Sequence, residues 1–286
     1  MTKPRPPLPW EDFGRRGRDG DAARARGGAP GGRVRPAGGE AADRGPAPTR
    51  RGEPLVVGVT GASGAIYAVR LLRALLDARV PVDLVFTEYG LYLLKLELGL
   101  RTVTASNLES LRAHLDVPEE RWSLVRVFRN HDLAADPASG STRFRGVVVC
   151  PCSMKNVAAI AQGLSETLLQ RAADVALKER RPLVLVPRET PLHLIHLENL
   201  ARISRAGGTI IPAMPAFYQG PKTFEDLADF IAQRVLDHVG VEARLVPAWS
   251  ERERARPADA AGSSRDARRA GTTGGPEKRS ADRGDD

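Results

Sequence analysis

The sequence predicts a doubly wound α/β domain built on a parallel sheet, and three observations lead there. Short β-branched apolar runs recur along the chain, among them Leu55-Val56-Val57-Gly58-Val59, Val147-Val148-Val149 and Leu183-Val184-Leu185-Val186. Such runs lack polar alternation, as strands buried on both faces do. Longer segments with helical spacing separate them, and that alternation is the mark of a sheet covered by helices. The apolar sequence is confined to residues 54–249, which sets the limits of one folded domain.

The first strand is expected at residues 55–60. It runs into the turn Gly61-Ala62-Ser63-Gly64 and a helix over 65–78, in which Ile66, Val69, Leu72 and Leu76 fall close to one stripe. A second strand at 82–87 and a helix at 89–98 follow. A weaker strand is expected at 124–128 and a firm one at 146–150. Two helices, 155–161 and 166–179, lead to a strand at 182–187. A helix at 191–204, a short strand at 209–211 and a last helix at 224–239 complete a single three-layer domain. The sequence holds no internal repeat and no heptad run.

A chain of 286 residues with 42% hydrophobic content has apolar material for one core and little more. Residues 1–53 carry 11 Gly and 8 Pro and almost no Ile, Leu or Val, and the stretch from 250 to 286 has the same character. Neither buries enough surface to offset the entropy of ordering, so both tails read as disordered. No run approaches the roughly 18 to 20 apolar residues of a membrane span, and the start lacks the apolar block of a secretory signal. The formal net charge is +8, but residues 54–250 hold 22 Lys and Arg against 20 Asp and Glu. The basic character therefore belongs largely to the N-terminal tail, and a nucleic-acid partner is not expected for the domain. Cys150 and Cys152 are the only cysteines, too close for an easy mutual disulfide and too few for a zinc site, which fits a reducing cytoplasm.

The turn Gly58-Val59-Thr60-Gly61-Ala62-Ser63-Gly64 stands where the first strand meets the first helix. Ligands of open parallel sheets bind at such strand ends, and the free amides of a helix start favour a phosphate. The spacing is not G-x-G-x-x-G, and no P-loop Lys follows, so dinucleotides and ATP are not the first expectation. Gly61-Ala62-Ser63-Gly64-Ala65 nearly matches the nucleophile elbow of hydrolases, yet it falls on the first strand, ends in Ala, and none of the five His is placed by pattern as a partner.

Cys150-Pro151-Cys152-Ser153-Met154-Lys155-Asn156 ends a buried strand in a polar turn, a second ligand loop at the same sheet edge, with Cys150 read as a small buried hydrophobe. His193, His196 and Glu198 do not write H-E-x-x-H and read as helix-surface and capping residues. Arg171 and Lys178, seven apart, share a helix face, while Arg188-Glu189 directly follows the run Pro182-Leu183-Val184-Leu185-Val186-Pro187. Cations near a strand end suit a phosphorylated substrate, and a charged pair there is where active sites collect.

Thr60-Gly61-Ala62-Ser63-Gly64-Ala65, Cys150-Pro151-Cys152-Ser153, the block from Glu179 to Glu189 and His196-Leu197-Glu198-Asn199 closely resemble the UbiX-type flavin prenyltransferases. The resemblance covers residues 54–249 and leaves the tails outside. It implies a flavodoxin-like, homo-oligomeric and typically dodecameric enzyme. The implied reaction joins a dimethylallyl group from dimethylallyl monophosphate to N5 and C6 of reduced FMN, without a metal. The prenylated FMN so made serves UbiD-type decarboxylases.

Carried over position by position, the resemblance implies that Gly61, Ala62 and Ser63 hold FMN, with Ser63 also a proton relay beside N5. Thr87, Ser153, Met154, Lys155, Asn156 and Arg188 are further FMN contacts, Asn156 standing where a Thr is more usual. Arg171, Lys178, Tyr218 and Arg234 form the phosphate set, with Arg188 also touching the phosphate. Glu189 is the acid that protonates the departing phosphate, Glu97 assists at the flavin, and Trp249 lies over the prenyl site, where a π face stabilises an allylic cation. An FMN-dependent cysteine decarboxylase and a non-catalytic flavin carrier are the alternatives on the same fold. The Arg188-Glu189 block argues against the first, and the presence of Ser63, Glu97, Lys178 and Glu189 against the second.

Overall fold

The computed structural model describes residues 52–247. Trp249 and both tails, apart from Gly52 and Glu53, lie outside the described residues. Six strands form one all-parallel sheet: β1 (Leu55–Val59), β2 (Val82–Phe86), β3 (Val125–Arg129), β4 (Gly146–Cys152), β5 (Leu183–Pro187) and β6 (Thr209–Ile210). Their order is β3-β2-β1-β4-β5-β6, the doubly wound order. Without the edge strand β3, the other five run in the flavodoxin order. The chain reverses its direction of travel across the sheet between β1 and β4, which are neighbours.

The helices are α1 (Ala65–Asp77), α2 (Glu88–Leu98), α3 (Glu109–Leu115), α4 (Glu119–Trp122), α5 (Met154–Ala161), α6 (Leu168–Lys178), α7 (Leu194–Arg205) and α8 (Phe224–His238). Side chains alternate across the sheet with the period of a strand. Leu55, Val57 and Val59 of β1 pack with α1, α3 and α8 on one face, whereas Val56 joins α5, α6 and α7 on the other. Each fully buried Leu or Val contributes about 1.5–3 kcal/mol of transfer free energy. Gly58 has no side chain because Leu169 of α6 fills that space, and this lets α6 sit directly on β1.

The structure departs from the sequence expectation in a few places. β4 continues through Pro151 to Cys152, with its register against β5 shifted between Val149 and Cys152, where proline supplies no ladder donor. α7 begins at Leu194 rather than at 191, with His193 as its cap. The buried stripe of α1 is wider than expected, taking in Ala68, Leu71 and Leu75, while Ile66 is only partly covered. α3 and α4 were not expected. Both are short and polar, and α3 holds its place by inserting Leu111 and Leu115 into the core.

Candidate active site

The carboxyl ends of β1 and β4 open side by side at the switch point, and a buried hydroxyl joins them. Thr60, with no exposed surface, donates from Oγ1 to the Pro151 carbonyl at 2.9 Å and accepts from the Ser153 amide at 2.8 Å. Its own amide donates to the same carbonyl at 3.3 Å. The two expected ligand loops are thus one assembly. Sequence reasoning did not single out Thr60 for this, although a hydroxyl closing an otherwise apolar strand is the available signal.

The turn after β1 is held by charges of opposite sign. Arg188 Nε donates to the Ser63 carbonyl at 3.0 Å, and the Arg188 amide donates to Cys152 at 3.3 Å. On the other side of the Ser63-Gly64 peptide, the Gly64 amide donates to the Glu97 carboxylate at 2.9 and 3.2 Å, and the Ala65 amide donates at 2.7 Å. Gly64 has φ 114°, which a side chain rarely adopts, and α1 has neither a side-chain cap of its own nor an acid in its first turn. Glu97 from the last turn of α2 supplies that anion. This corrects the expectation that the first amides of α1 stand free for a ligand phosphate, because the protein's own carboxylate meets them.

α5 differs. The side chain of its cap residue Ser153 accepts from no backbone amide of the helix, and its first turn carries no acid. Asn156, buried, donates from Nδ2 to Ser153 Oγ at 3.0 Å, so its side-chain amide orients the Ser153 hydroxyl. Met154 is buried and Lys155 exposed beside it. Thr87 caps α2 by accepting from the Gly90 amide at 3.0 Å, which keeps its hydroxyl hydrogen as a donor. Gly61 and Gly90 have no room for a Cβ, against Tyr89 and the Val59 carbonyl, so the start of α2 seals one side of the crevice.

Glu189 follows Arg188 at the rim, its Oε1 accepting from the Thr190 amide at 3.0 Å. Tyr67, which the sequence reading passed over, has its ring against Gly64. Burial pushes its phenol above the usual range, the nearby Cys150 adds to this, and Arg188 pulls it back. Cys150 and Cys152 are wholly enclosed, and burial drives both thiols far up, so they act as packing groups. The His193 and His196 rings stack at 3.5 Å, and His193 Nδ1 accepts from the His196 amide at 3.4 Å, the capping role expected for this pair. Among the described residues, no group of three or more His, Cys, Asp or Glu could hold a metal ion.

The remaining expected residues fall into two other places. Lys178 ends α6, and the chain re-enters the sheet at Leu183, beside the start of β4. It therefore lies at the amino edge of the sheet, while Arg188 and Glu189 lie at the carboxyl edge. A five-residue strand, about 16 Å long, lies between them. Arg171 is on the same helix, its Nε on the Ala138 carbonyl at 3.1 Å and its Nη1 on Asp174 at 2.7 Å. Tyr218 and Arg234 line a cavity of about 380 Å³ between α8 and residues 243–247. Tyr218 meets Phe230 edge-on at 6.3 Å, and Arg234 pairs with Asp237 at 2.6 Å.

The crevice, with a glycine turn, hydroxyls from three loops and a guanidinium at a switch point, is that of a nucleotide- or flavin-binding α/β protein. The model of the Flavoprotein family matches residues 46–236. Flavin prenyltransferase UbiX of Methanothermobacter thermautotrophicus is 44% identical over 199 residues, covering 70% of this chain and 96% of that protein. UbiX of Alkalihalophilus pseudofirmus is 47% identical over 197 residues, covering 69% and 96%. Among solved structures, AnUbiX (PadA1) in complex with FMN and dimethylallyl pyrophosphate is 40% identical with a TM-score of 0.60, covering 69% of this chain and 97% of that one. A dodecameric FMN-dependent UbiX-like decarboxylase from Escherichia coli O157:H7 is 41% identical with a TM-score of 0.60, covering 68% and 98%. The chain belongs to the flavoprotein family, in its UbiX flavin prenyltransferase branch.

Proposed function

We propose that the protein is a flavin prenyltransferase, joining the dimethylallyl group of dimethylallyl monophosphate to N5 and C6 of reduced FMN. The observation that carries this reading is the junction of Ser63, Ser153 and Arg188, where two loops and a cation meet at the switch point and Glu189 follows directly. The residues there suit FMN. Thr87 and Ser153 offer hydroxyls, the first turn of α5 offers amides that no acid of its own meets, and Arg188 and Lys155 offer positive charge. The phosphate of FMN is better served at α5 than at α1, whose first amides Glu97 already holds.

In this reading Gly61, Ala62, Ser63, Thr87, Ser153, Met154, Lys155, Asn156 and Arg188 hold the flavin. Ser63 moves a proton at N5, and Glu97 keeps the turn that carries Ser63 in place. The chemistry supplied by reduced FMN is nucleophilic attack by N5 and C6 on the allylic group. Arg171, Lys178, Tyr218 and Arg234, with Arg188, stabilise the departing phosphate, and Glu189 protonates it. Trp249 lies over the allylic group.

Within one chain, Lys178 and Glu189 lie at opposite edges of the sheet, so the phosphate set is completed when chains assemble. A homo-oligomer, most simply a dodecamer as in the E. coli relative, meets that need. Exposed Tyr89, Tyr92 and Leu96 on α2, with Met214 and Phe217 before α8, supply apolar surface for such contacts. Among the described residues no helix is long and apolar enough to cross a membrane. The two free, buried cysteines suit a cytoplasmic protein. A UbiD-type decarboxylase is the recipient of the product. The test is to add the flavin recovered after anaerobic incubation with dimethylallyl monophosphate to such a decarboxylase lacking its cofactor. Restored CO2 release is expected, and none with the recovered flavin would contradict the reading.

A further inference from the structure

Lys178 does not hang free at the end of α6. Its Nζ lies 2.6 Å from Glu179 Oε1. Consecutive residues of a helix do not face each other. These two meet because Glu179 is already the cap residue, and Arg180 turns the chain away with φ 55°. The pair rests on Gly140. A Cβ there would stand 2.5 Å from Glu179 Oε1 and 2.7 Å from Lys178 Nζ, so the ends of these two side chains would have to move aside.

The shelf that Gly140 belongs to is fixed from both sides. Arg181 donates to the Gly140 carbonyl at 2.9 Å and to the Thr142 carbonyl at 2.8 Å, with its guanidinium stacked 4.3 Å over the Phe144 ring. Arg171 donates to the Ala138 carbonyl from the same helix as Lys178. The shelf beneath the Lys178–Glu179 pair is therefore held in place. The Glu179 carboxylate is held below its usual range, first by its hydrogen bond to Lys178, then by the charge of Lys178, with a smaller pull from Arg181.

We propose that Glu179 is the resident counter-ion of Lys178: it seats the ammonium over Gly140 before substrate arrives and, remaining beside the bound phosphate, loosens the hold on the phosphate product. Glu179 is a positioning and affinity-setting residue for a phosphate monoester and for inorganic phosphate, and it touches neither the flavin nor the allylic group. This rests on the reading that Lys178 belongs to the phosphate set.

The test uses the full chain with inorganic phosphate as the probe. Inhibition of prenylation by phosphate, and the rise in Tm that phosphate produces, are measured for the parent, Glu179→Gln and Lys178→Gln. Glu179→Gln is expected to bind phosphate about fourfold more tightly, the effect of removing one charge about 5 Å away in water. The KM for dimethylallyl monophosphate falls with it, while kcat stays level or drops as product release slows. An unchanged or weaker phosphate affinity overturns the proposal. Lys178→Gln separates the two layers: phosphate binding as strong as the parent's would remove Lys178 from the phosphate set, whatever Glu179 does. Should Glu179→Gln fold poorly, Gly140→Ala displaces the same pair. It is expected to raise the KM for the monophosphate and leave FMN affinity unchanged, and an unchanged KM overturns the shelf.

Discussion

The guanidinium of Arg188, at the end of β5, donates to the carbonyl of Ser63, in the turn after β1, across 125 residues of chain at 3.0 Å. On the other side of the same peptide, Glu97 accepts from Gly64 and Ala65. One peptide unit is thereby oriented by a cation at its oxygen and an anion at its nitrogen. The turn that presents Ser63 is set before any ligand arrives.

Removal of either charge should loosen that turn. Glu97→Ala is expected to lower stability by about 1 kcal/mol, as the loss of a helix cap does, with Glu97→Gln retaining an acceptor and losing less. Arg188→Ala is expected to weaken FMN binding roughly tenfold, the equivalent of one charge-assisted hydrogen bond. Urea unfolding and flavin fluorescence titration measure the two effects, and unchanged values in both variants would dissolve the clamp.

Thr60 offers a sharper stability test. Thr60→Val keeps the shape, but the Pro151 carbonyl loses the hydroxyl as a donor and the Ser153 amide loses its acceptor. A loss of about 1–3 kcal/mol is expected in urea unfolding, together with weaker FMN binding, and Thr60→Ser should restore most of both. A valine variant as stable as the parent would mean that the two loops do not depend on this hydroxyl.

The start of α8 gives a pH dependence of known sign. Asp226 accepts from the Lys222 and Thr223 amides and forms a reciprocal capping box with Thr223, and these backbone hydrogen bonds hold its carboxyl below the usual range. A carboxyl lowered in the folded state contributes stability above its unfolded pKa, about 3.9, and loses it as pH falls through the folded value. The Tm of Asp226→Asn should therefore lie below the parent's at pH 6–7 and converge with it below about pH 4. Thr223→Ala should cost about 1 kcal/mol at neutral pH.

The placement of Lys178 and Glu189 at opposite sheet edges makes complementation a test of assembly. Lys178→Gln and Glu189→Gln should each lower the prenylation rate by about a hundredfold or more, the usual worth of a positioned acid or of a phosphate-stabilising cation. Co-expressed in one oligomer, they should recover a measurable fraction of parent activity, because some sites then combine the intact residue of each chain. No recovery would place both residues in one chain's site.

Much of this was legible in the chain. The runs at β1, β4 and β5 fixed the sheet because they are β-branched and uninterrupted, and their turn residues marked the crevice. β3 read more weakly because Arg126 and Arg129 break its apolar run, as charges on an edge strand do. Its Arg126 pairs with buried Asp83 at 2.8 Å, and burial still pushes that carboxyl up against the pull of Arg126. Two features of the site were hidden. Lys178 and Arg188 are ten residues apart and look adjacent, yet β5 carries the chain from one edge to the other between them. The meeting of Glu97 with α1 depends on how α2 packs, which no local pattern encodes.

The most direct measurement of the central claim is anaerobic incubation of the purified chain with reduced FMN and dimethylallyl monophosphate, followed by mass spectrometry of the extracted flavin. A gain of one C5H8 unit is the expected result, absent in Glu189→Gln over the same interval. Unmodified FMN recovered from folded, flavin-loaded protein would contradict the transferase reading.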